Sequence, residues 1–505
     1  MRTFVAALMT GVLTATTMVS AAPPVHAAPT TTQWATCQDG FECATVQAPL
    51  DYDEPQGKQI DLALIKLPAT DPGKRKGALF VNFGGPGSDG VGKMRDRARV
   101  TFSDDIRAHF DLIGVDMRGI GRSTAVHCFT TEHEKSEFFG SIPDFPFGVE
   151  QEHTFMDSAA ELGRRCQEHS AELLNHMSTA NTAHDLEHVR VALGEPDMNF
   201  IGYSYGSVIG ATYANLYPQR ARAIILDGAL DLVGNSRGHG DEAKTLPVDV
   251  RQDVAQAAQD TLTRFFTMCE AAGEKCAFAQ GGNLAGKWSE LLAHLQHTSI
   301  EHPDGITYTY SSLVSMVYYN LFKPVKTWPT TAAILQKLYE TKNTNNAEVV
   351  ATAHESYQTN PHEAYNAIQC LDSDEPTKTS LYSELGASQD KKVPGFGRLV
   401  TFNMMPCAAW PAEDADRYTG PWNAKFAHEL LVINTTHDPA TPHTGAKMAT
   451  KQLGKARLLT LDAPGHTTMY SPASACVEQA RLAYLVSGTM PAKNKVCPAD
   501  EAPWH

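Results

Sequence analysis

Three residue types that cooperate in nucleophilic catalysis, a serine, an aspartate and a histidine, each follow an apolar segment of this sequence. The serine is Ser204, in the run Gly202-Tyr-Ser-Tyr-Gly206, which matches the pattern G-x-S-x-G. In that pattern a sharp strand-to-helix turn exposes a serine hydroxyl, and glycines are needed where neighbouring backbone comes close. We therefore predict that Ser204 is a nucleophile.

Asp438 and His466 are the predicted partners of Ser204. Asp438 follows the apolar segment 429–434, and His466 lies in a turn after the last apolar segment, 456–461. A carboxylate at the first position can orient a histidine, which can then take the proton of a serine. Asp227 also follows an apolar segment and is the alternative acid. His437 and His443 flank Asp438, but no third ligand accompanies them at a suitable spacing, so we predict no metal site.

A glycine-rich loop, Gly84-Gly-Pro-Gly-Ser88, follows the apolar segment 78–83. Gly85, Gly87 and Gly90 fit the dinucleotide pattern G-x-G-x-x-G, but Pro86 removes an N–H group that a pyrophosphate would use. We expect no cofactor. The loop is better suited to supply an oxyanion-stabilising N–H group, from Gly85, together with the N–H of Tyr205.

Helices and strands alternate around Ser204, which predicts an α/β fold with a mostly parallel sheet flanked by helices. Thr182 can cap a helix over 183–193, and the helix that starts at Tyr205 should end near Pro218. Asp116 and Arg118, after another apolar segment, are predicted to tie a strand end to the glycine-rich loop rather than to react. The predicted strands are 45–50, 60–67, 78–83, 110–116, 198–201, 223–227, 429–434 and 456–461.

Helical periodicity replaces the strand pattern for about two hundred residues after Asp227. An insertion of this size cannot be a loop, so we predict a large, mainly helical cap between strands of the sheet, above the site. The predicted units are a signal peptide at 1–27, a first core part at 28–231, the cap at 232–410 and a second core part at 411–505.

The first 27 residues resemble an export signal, with Arg2, an uncharged run and small residues before cleavage after Ala27 or Ala21. A retained membrane anchor is the alternative. The formal net charge is −15, which argues against nucleic acid or an anionic membrane as a partner.

Ten cysteines in an exported chain predict disulfides. Pairing of sequence neighbours would give Cys37–Cys43, Cys128–Cys166, Cys269–Cys276, Cys370–Cys407 and Cys476–Cys497.

The motifs taken together resemble those of the secreted tripeptidyl aminopeptidases, relatives of the prolyl aminopeptidases within the α/β-hydrolases. The resemblance rests on the glycine-rich loop, Asp116-x-Arg-Gly-x-Gly-x-Ser123, the turn at Ser204, Asp438-Pro-Ala-Thr-Pro442 and Gly465-His466. It implies the α/β-hydrolase fold and a secreted, monomeric serine exopeptidase that releases short peptides from free N-termini. Such families also include esterases, so a carboxylesterase is the alternative, and a silent binding scaffold is a third. Phe83 stands where prolyl aminopeptidases usually carry a histidine, which makes release of single prolines less expected.

An exopeptidase needs a partner for the substrate's ammonium group, and a buried carboxylate is the natural one. The cap segment 370–375 concentrates acidic residues beside a predicted disulfide. With the resemblance, this makes Asp372 the first candidate and Glu375 the second; a solvated acidic turn is the alternative.

Overall fold

The computed structural model describes residues 32–303, 305–343, 346–347 and 361–504. The predicted export signal at 1–27, with both of its cleavage positions, lies outside the described residues. Within the described part, no helix has the length and apolar composition needed to cross a bilayer.

Ten of the strands in the described residues form one sheet, in the spatial order β1-β2-β3-β5-β4-β6-β7-β11-β12-β13. The first four strands of this order pair antiparallel, and every pairing from β5–β4 onward is parallel. A smaller sheet in the order β10-β8-β9 lies in the cap. The strands are β1 Ala35–Gln38, β2 Phe41–Pro49, β3 Gln59–Leu67, β4 Gly77–Asn82, β5 Phe110–Val115, β6 Met198–Tyr203, β7 Ala221–Asp227, β8 Ser299–Glu301, β9 Thr307–Tyr308, β10 Asn346–Ala347, β11 Leu430–His437, β12 Ala456–Pro464 and β13 Val496–Pro498.

Helices cover both faces of the large sheet. Along β4, Ala78 and Phe80 belong to one buried apolar cluster while Leu79 and Val81 belong to another, as expected when successive side chains point to opposite faces. The helices are α1 Gly90–Thr101, α2 Asp104–His109, α3 Glu132–Gly140, α4 Val149–Leu174, α5 Thr179–Ala192, α6 Tyr205–Leu216, α7 Leu232–Ser236, α8 Val248–Arg251, α9 Val254–Ala272, α10 Leu284–Leu295, α11 Tyr310–Leu321, α12 Pro324–Thr341, α13 Pro361–Asp372, α14 Thr379–Lys392, α15 Phe396–Asn403, α16 His443–Leu453, α17 Thr467–Tyr470 and α18 Ala475–Ser487.

The region between β7 and β11 is mainly helical, as the sequence predicts, and it has its own buried apolar cluster. Packing crosses the predicted boundaries in two places. Phe145, Phe155 and Ala159, from the first core part, pack with the cap cluster. Residues of α13, such as Ala364 and Ile368, pack with the cluster on one face of the sheet.

Helix α5 begins earlier than the sequence predicts. Its cap is Ser178, whose hydroxyl accepts from the N–H of Asn181, and not Thr182. The N–H of Thr179 is bound by the carboxylate of Asp372, at 2.8 Å, from a distant part of the chain. Ser178 is thus the local cap, and Asp372 adds a distant contact at the same helix end.

Five disulfides join the ten cysteines, and their pairing is the predicted pairing of sequence neighbours. Cys370–Cys407 connects the end of α13 to a short 3-10 helix, Met405–Ala409, that follows α15. Such a bond restricts the relative movement of the two cap segments.

Candidate active site

Ser204 occupies the turn between β6 and α6, with the unusual backbone angles φ 56° and ψ −124°. A side chain at Gly202 would place its Cβ 1.9 Å from the carbonyl oxygen of Gly206. A Cβ at Gly206 would lie 2.7 Å from Oδ1 of Asn82. Both glycines are therefore required sterically, and the strained turn expected around Ser204 is present.

His466 and Asp438 form a buried pair, with Nδ1 of His466 2.8 Å from Oδ1 of Asp438. The carboxylate also accepts from the backbone N–H groups of Ala440, Thr441 and Thr467, each at 2.9 Å. Burial alone would raise the pKa of Asp438, but the His466 ring and the N–H groups of Thr441 and Thr467 hold it below its ordinary value. An ionised Asp438 can fix the tautomer of His466.

The cap also positions His466. The backbone N–H of His466 donates to the carbonyl of Phe322 at 3.0 Å, and the two rings lie 4.7 Å apart. Phe322 directly follows α11, so the junction between α11 and α12 packs on the histidine from above.

Asp227, the alternative acid, has other partners. It lies at the end of β7, beside β11, and it accepts from the N–H of Thr468 at 2.9 Å, from the Thr468 hydroxyl and from Arg481 at 3.3 Å. Burial raises the pKa of Asp227, although Arg481 opposes this. The carboxylate thus anchors the segment after His466 to the sheet.

The loop after β4 lies against the turn at Ser204. A Cβ at Gly84 would lie 2.7 Å from the carbonyl oxygen of Tyr203 and 3.0 Å from Cβ of Ser204. Gly85 and Tyr205, the expected oxyanion donors, line one cavity together with Ser204 and His466. The predicted nucleophile, the predicted base and both predicted oxyanion donors therefore line the same cavity.

The glycines of the G-x-G-x-x-G pattern are explained by packing. A Cβ at Gly90 would lie 2.1 Å from the carbonyl oxygen of Val115, and one at Gly87 would lie 2.5 Å from that of Pro361. The N-terminus of α1 is capped by Asp89, whose carboxylate accepts from the N–H of Gly92. A carboxylate at this position would repel a pyrophosphate, so the arrangement does not favour a dinucleotide.

Asp116 and Arg118 make structural contacts, but with α1, Arg122 and Asp185 rather than with the glycine-rich loop that the sequence predicts. Asp116 accepts from the N–H groups of Val91 at 2.7 Å and Arg122 at 2.8 Å, which ties the end of β5 to α1. Arg118 is buried and makes a two-point contact with Asp185, at 2.6 and 2.8 Å. Both residues therefore hold neighbouring segments of the chain together.

His437 and His443 do not meet as metal ligands. Nε2 of His443 lies 3.0 Å from the hydroxyl of Thr460. Among the described residues, the one group of three side chains close enough to share an ion is Asp51, Asp53 and Asp416, which does not include either histidine.

The cavity at Ser204 has a volume of about 320 Å³ and lies between the sheet and the cap. Among the described residues that line it, one carries a carboxylate: Asp249 of α8, whose Oδ2 accepts from Nδ2 of Asn403 at 2.6 Å. Burial raises the pKa of Asp249 to about 6, opposed by Asn403 and by Arg251. Polar side chains along the wall also include Asn235, Gln252, His362, Gln369, Asn403 and Thr441, together with several tyrosines.

Asp372 and Glu375 do not line this cavity, contrary to the expectation for an amino-end site. Asp372 accepts from the N–H and hydroxyl of Thr179 and, at 3.1 Å, from the hydroxyl of Tyr205. Glu375 accepts from the N–H of Val248, and burial raises its pKa to about 8 although Arg251 lies 3.8 Å away. Both carboxyl groups are therefore used in contacts within the protein, and two of their partners, Tyr205 and Val248, line the cavity.

Asp249 carried no signal that sequence reasoning could use. It lies in the four-residue helix α8 and outside every motif. Its place beside Ser204 depends on how the cap folds over the sheet.

Comparisons with known proteins agree with this architecture. The family described as "alpha/beta hydrolase fold" matches residues 84–274, which contain the glycine-rich loop and Ser204. The family described as "TAP-like protein" matches residues 392–497, which contain Asp438 and His466. The chain has the α/β-hydrolase fold. It is thus an enzyme of the hydrolase class, and the resemblance to the tripeptidyl aminopeptidases is confirmed.

Three curated relatives align with most of this chain. "Serine protease Hip1" of Mycobacterium tuberculosis is 28% identical over 91% of this chain and 87% of its own length. "Tripeptidyl aminopeptidase" of Streptomyces lividans is 29% identical over 92% of this chain and 84% of its own length. "Carboxylesterase B" of Mycobacterium tuberculosis is 29% identical over 90% of this chain and 86% of its own length.

Proposed function

We propose that this enzyme is a serine exopeptidase that releases short peptides, such as tripeptides, from free N-termini. The observation that carries the proposal is the cavity itself. Ser204 and His466 line the cavity, and His466 is paired with Asp438. The Asp249 carboxylate also lines it. The relatives named serine protease and tripeptidyl aminopeptidase support the choice of peptides.

In the proposed mechanism the Ser204 hydroxyl attacks the carbonyl carbon of the scissile amide while His466 takes its proton. Asp438 stabilises the imidazolium that forms, and the N–H groups of Gly85 and Tyr205 stabilise the oxyanion. The C–N bond then breaks as His466 returns the proton to the leaving amine. Water, deprotonated by His466, hydrolyses the acyl-enzyme and restores Ser204.

Asp249 is the proposed partner of the substrate's ammonium group. A carboxylate offers charge as well as hydrogen-bond acceptors, and here Asn403 holds it in place at 2.6 Å. Ammonium binding at a fixed position in the cavity would select peptides by length, because the scissile carbonyl must reach Ser204.

A carboxylesterase is the second candidate, supported by the relative named carboxylesterase B. The same three residues would attack an ester, without a need for an ammonium site.

Secretion is likewise proposed, and the five disulfides support it because they persist in oxidising compartments.

The deciding experiment is a panel of chromogenic substrates assayed with the wild type and Ser204→Ala. We expect tripeptide anilides with free amino ends to be cleaved well, their acetylated forms poorly, and simple esters at an intermediate rate. Ser204→Ala should lose about 10⁴-fold or more on every substrate. Equal cleavage of free and acetylated peptides would contradict the exopeptidase proposal, and turnover of esters alone would favour the carboxylesterase.

A further inference from the structure

A second chamber adjoins the cavity at Ser204. Its volume is about 540 Å³, and we call it the aromatic chamber because of its lining. Half of its lining residues are apolar and come from α3, α4, α11 and the segments after α3 and α15, among them Phe138, Phe139, Ile142, Phe155, Met316 and Pro406. The polar half consists mostly of uncharged side chains and includes Asp144. Aromatic and aliphatic surface of this extent suits an apolar group.

The two spaces share part of their wall. Four residues line both: Tyr319, His362, Tyr365 and Asn403. Asn403 stands at the boundary, because its Nδ2 donates to Oδ2 of Asp249 at 2.6 Å and to the hydroxyl oxygen of Tyr365 at 2.9 Å. The carboxylate proposed to bind the substrate's ammonium group therefore lies next to the entrance of the aromatic chamber.

We infer that the aromatic chamber receives the side chain of the substrate's amino-terminal residue and selects a large apolar or aromatic one. This inference rests on the proposed function and names its specificity. An ammonium nitrogen held by Asp249 places the first Cα only about 1.5 Å further on, so the first side chain begins at the shared wall. The chamber is the apolar space within reach from that point.

The size of the expected preference follows from apolar burial. Moving a phenyl ring from water into an apolar chamber favours binding by about 10- to 100-fold over a methyl group. A first-position phenylalanine should therefore raise kcat/KM relative to alanine. Replacing alanine with phenylalanine at the second or third residue should not raise kcat/KM, because those side chains begin further from Asn403 and the chamber.

The test uses four tripeptide anilides with free amino ends: Ala-Ala-Ala, Phe-Ala-Ala, Ala-Phe-Ala and Ala-Ala-Phe. Two variants narrow the chamber from separate helices, Ala159→Leu from α4 and Ser315→Leu from α11, whose small side chains both line it. Ser289→Leu, on the exposed face of α10, is the matched control. Thermal unfolding of each variant shows whether it is folded.

We expect the wild type to prefer Phe-Ala-Ala by about tenfold or more. At least one folded chamber variant should lose most of that preference, while its kcat/KM for Ala-Ala-Ala stays within about twofold. A preference for phenylalanine at the second or third position would overturn the inference, and so would equal losses on all four peptides. If the wild type cleaves no peptide but hydrolyses esters, the proposed function itself fails, which is a distinguishable result.

Discussion

Asp438 and Asp227 lie at the ends of neighbouring strands, and their surroundings give them different roles. Asp438 contacts the His466 ring, whereas Asp227 contacts Thr468 and Arg481. A carboxylate bound to the histidine holds the required tautomer, and replacing it with an amide in a triad costs about 10⁴-fold in kcat.

Replacing Asp438 with Asn should therefore lower kcat by about 10⁴-fold, measured with a tripeptide anilide and with an ester. Asp227→Asn is the matched control, and it should reduce activity far less. It should instead lower the free energy of unfolding, because the buried Arg481 loses a charged partner. A larger kinetic loss for Asp227→Asn would move the catalytic acid to β7.

Asp249 gives a pH-dependent prediction that separates it from the other groups. Its pKa is raised to about 6, so the carboxylate is ionised and able to bind an ammonium above that pH and protonated below it. kcat/KM reports the free enzyme, and Ser204, His466 and Asp438 would serve peptide and ester alike. The kcat/KM for a free-amino peptide, divided by the kcat/KM for a neutral ester, should thus fall as the pH drops through about 6.

The measurement compares a free-amino tripeptide anilide with a neutral ester between about pH 4.5 and 7.5, below the pKa of the peptide's own amine. In Asp249→Asn the ratio should become independent of pH. It should also be smaller at neutral pH, by the equivalent of about 2 to 5 kcal/mol for the lost charged partner. A variant that keeps the wild-type pH profile would exclude Asp249 as the ammonium partner.

At the scale of elements, the turn between β6 and α6 depends on Gly202. Its Cβ would lie 1.9 Å from backbone, which the strand and helix can relieve only by moving apart. Gly202→Ala should cost about 3 kcal/mol of unfolding free energy or more. Gly140→Ala, at the end of α3, should change little because nothing lies within 4 Å of its Cβ position. Denaturant unfolding checks both, and equal effects would contradict the steric argument.

The elements that the sequence predicts correctly are those with strong local patterns. Strand β6, the turn at Ser204 and the polar turn at Asp116 follow from apolar runs bounded by glycines and charged residues. The sequence offers two cap residues for α5, Ser178 and Thr182, and local pattern does not choose between them. The placement of Asp372 could not be predicted, because its contact with Thr179 joins residues 193 positions apart. Acidic side chains near a cap disulfide looked like a substrate site, but their carboxylates are used to hold helices together.

At the scale of the whole molecule, the catalytic residues and the cavity wall have different origins. Ser204, Asp438 and His466 follow strands of one sheet, so chain order and strand ends are enough to predict that they meet. The wall that would determine specificity comes from cap helices, including α8, α11, α13 and α15. Their relative positions depend on packing and on Cys370–Cys407, which no short motif encodes.

Two of the cap disulfides, Cys370–Cys407 and Cys269–Cys276, should differ in how much they stabilise the protein. Cys370 and Cys407 are 37 residues apart, whereas Cys269 and Cys276 are 7 apart. Because a longer closed loop restricts the unfolded chain more, replacing the first pair with serines should cost about 4 kcal/mol of unfolding free energy and replacing the second about 2.5. Guanidinium unfolding measures both.

The two disulfide replacements should also differ in their effect on activity. α13 carries Tyr365 and Gln369, and Asn403 at the end of α15 lies just before the 3-10 helix that holds Cys407. Loss of Cys370–Cys407 should therefore loosen the wall around Asp249 and lower kcat/KM for free-amino peptides more than for a small ester. The Cys269–Cys276 variant, altered at the far end of α9, should treat both substrates as the wild type does. If the two variants lose peptide activity equally at a temperature where both are folded, Cys370–Cys407 does not position the cavity wall.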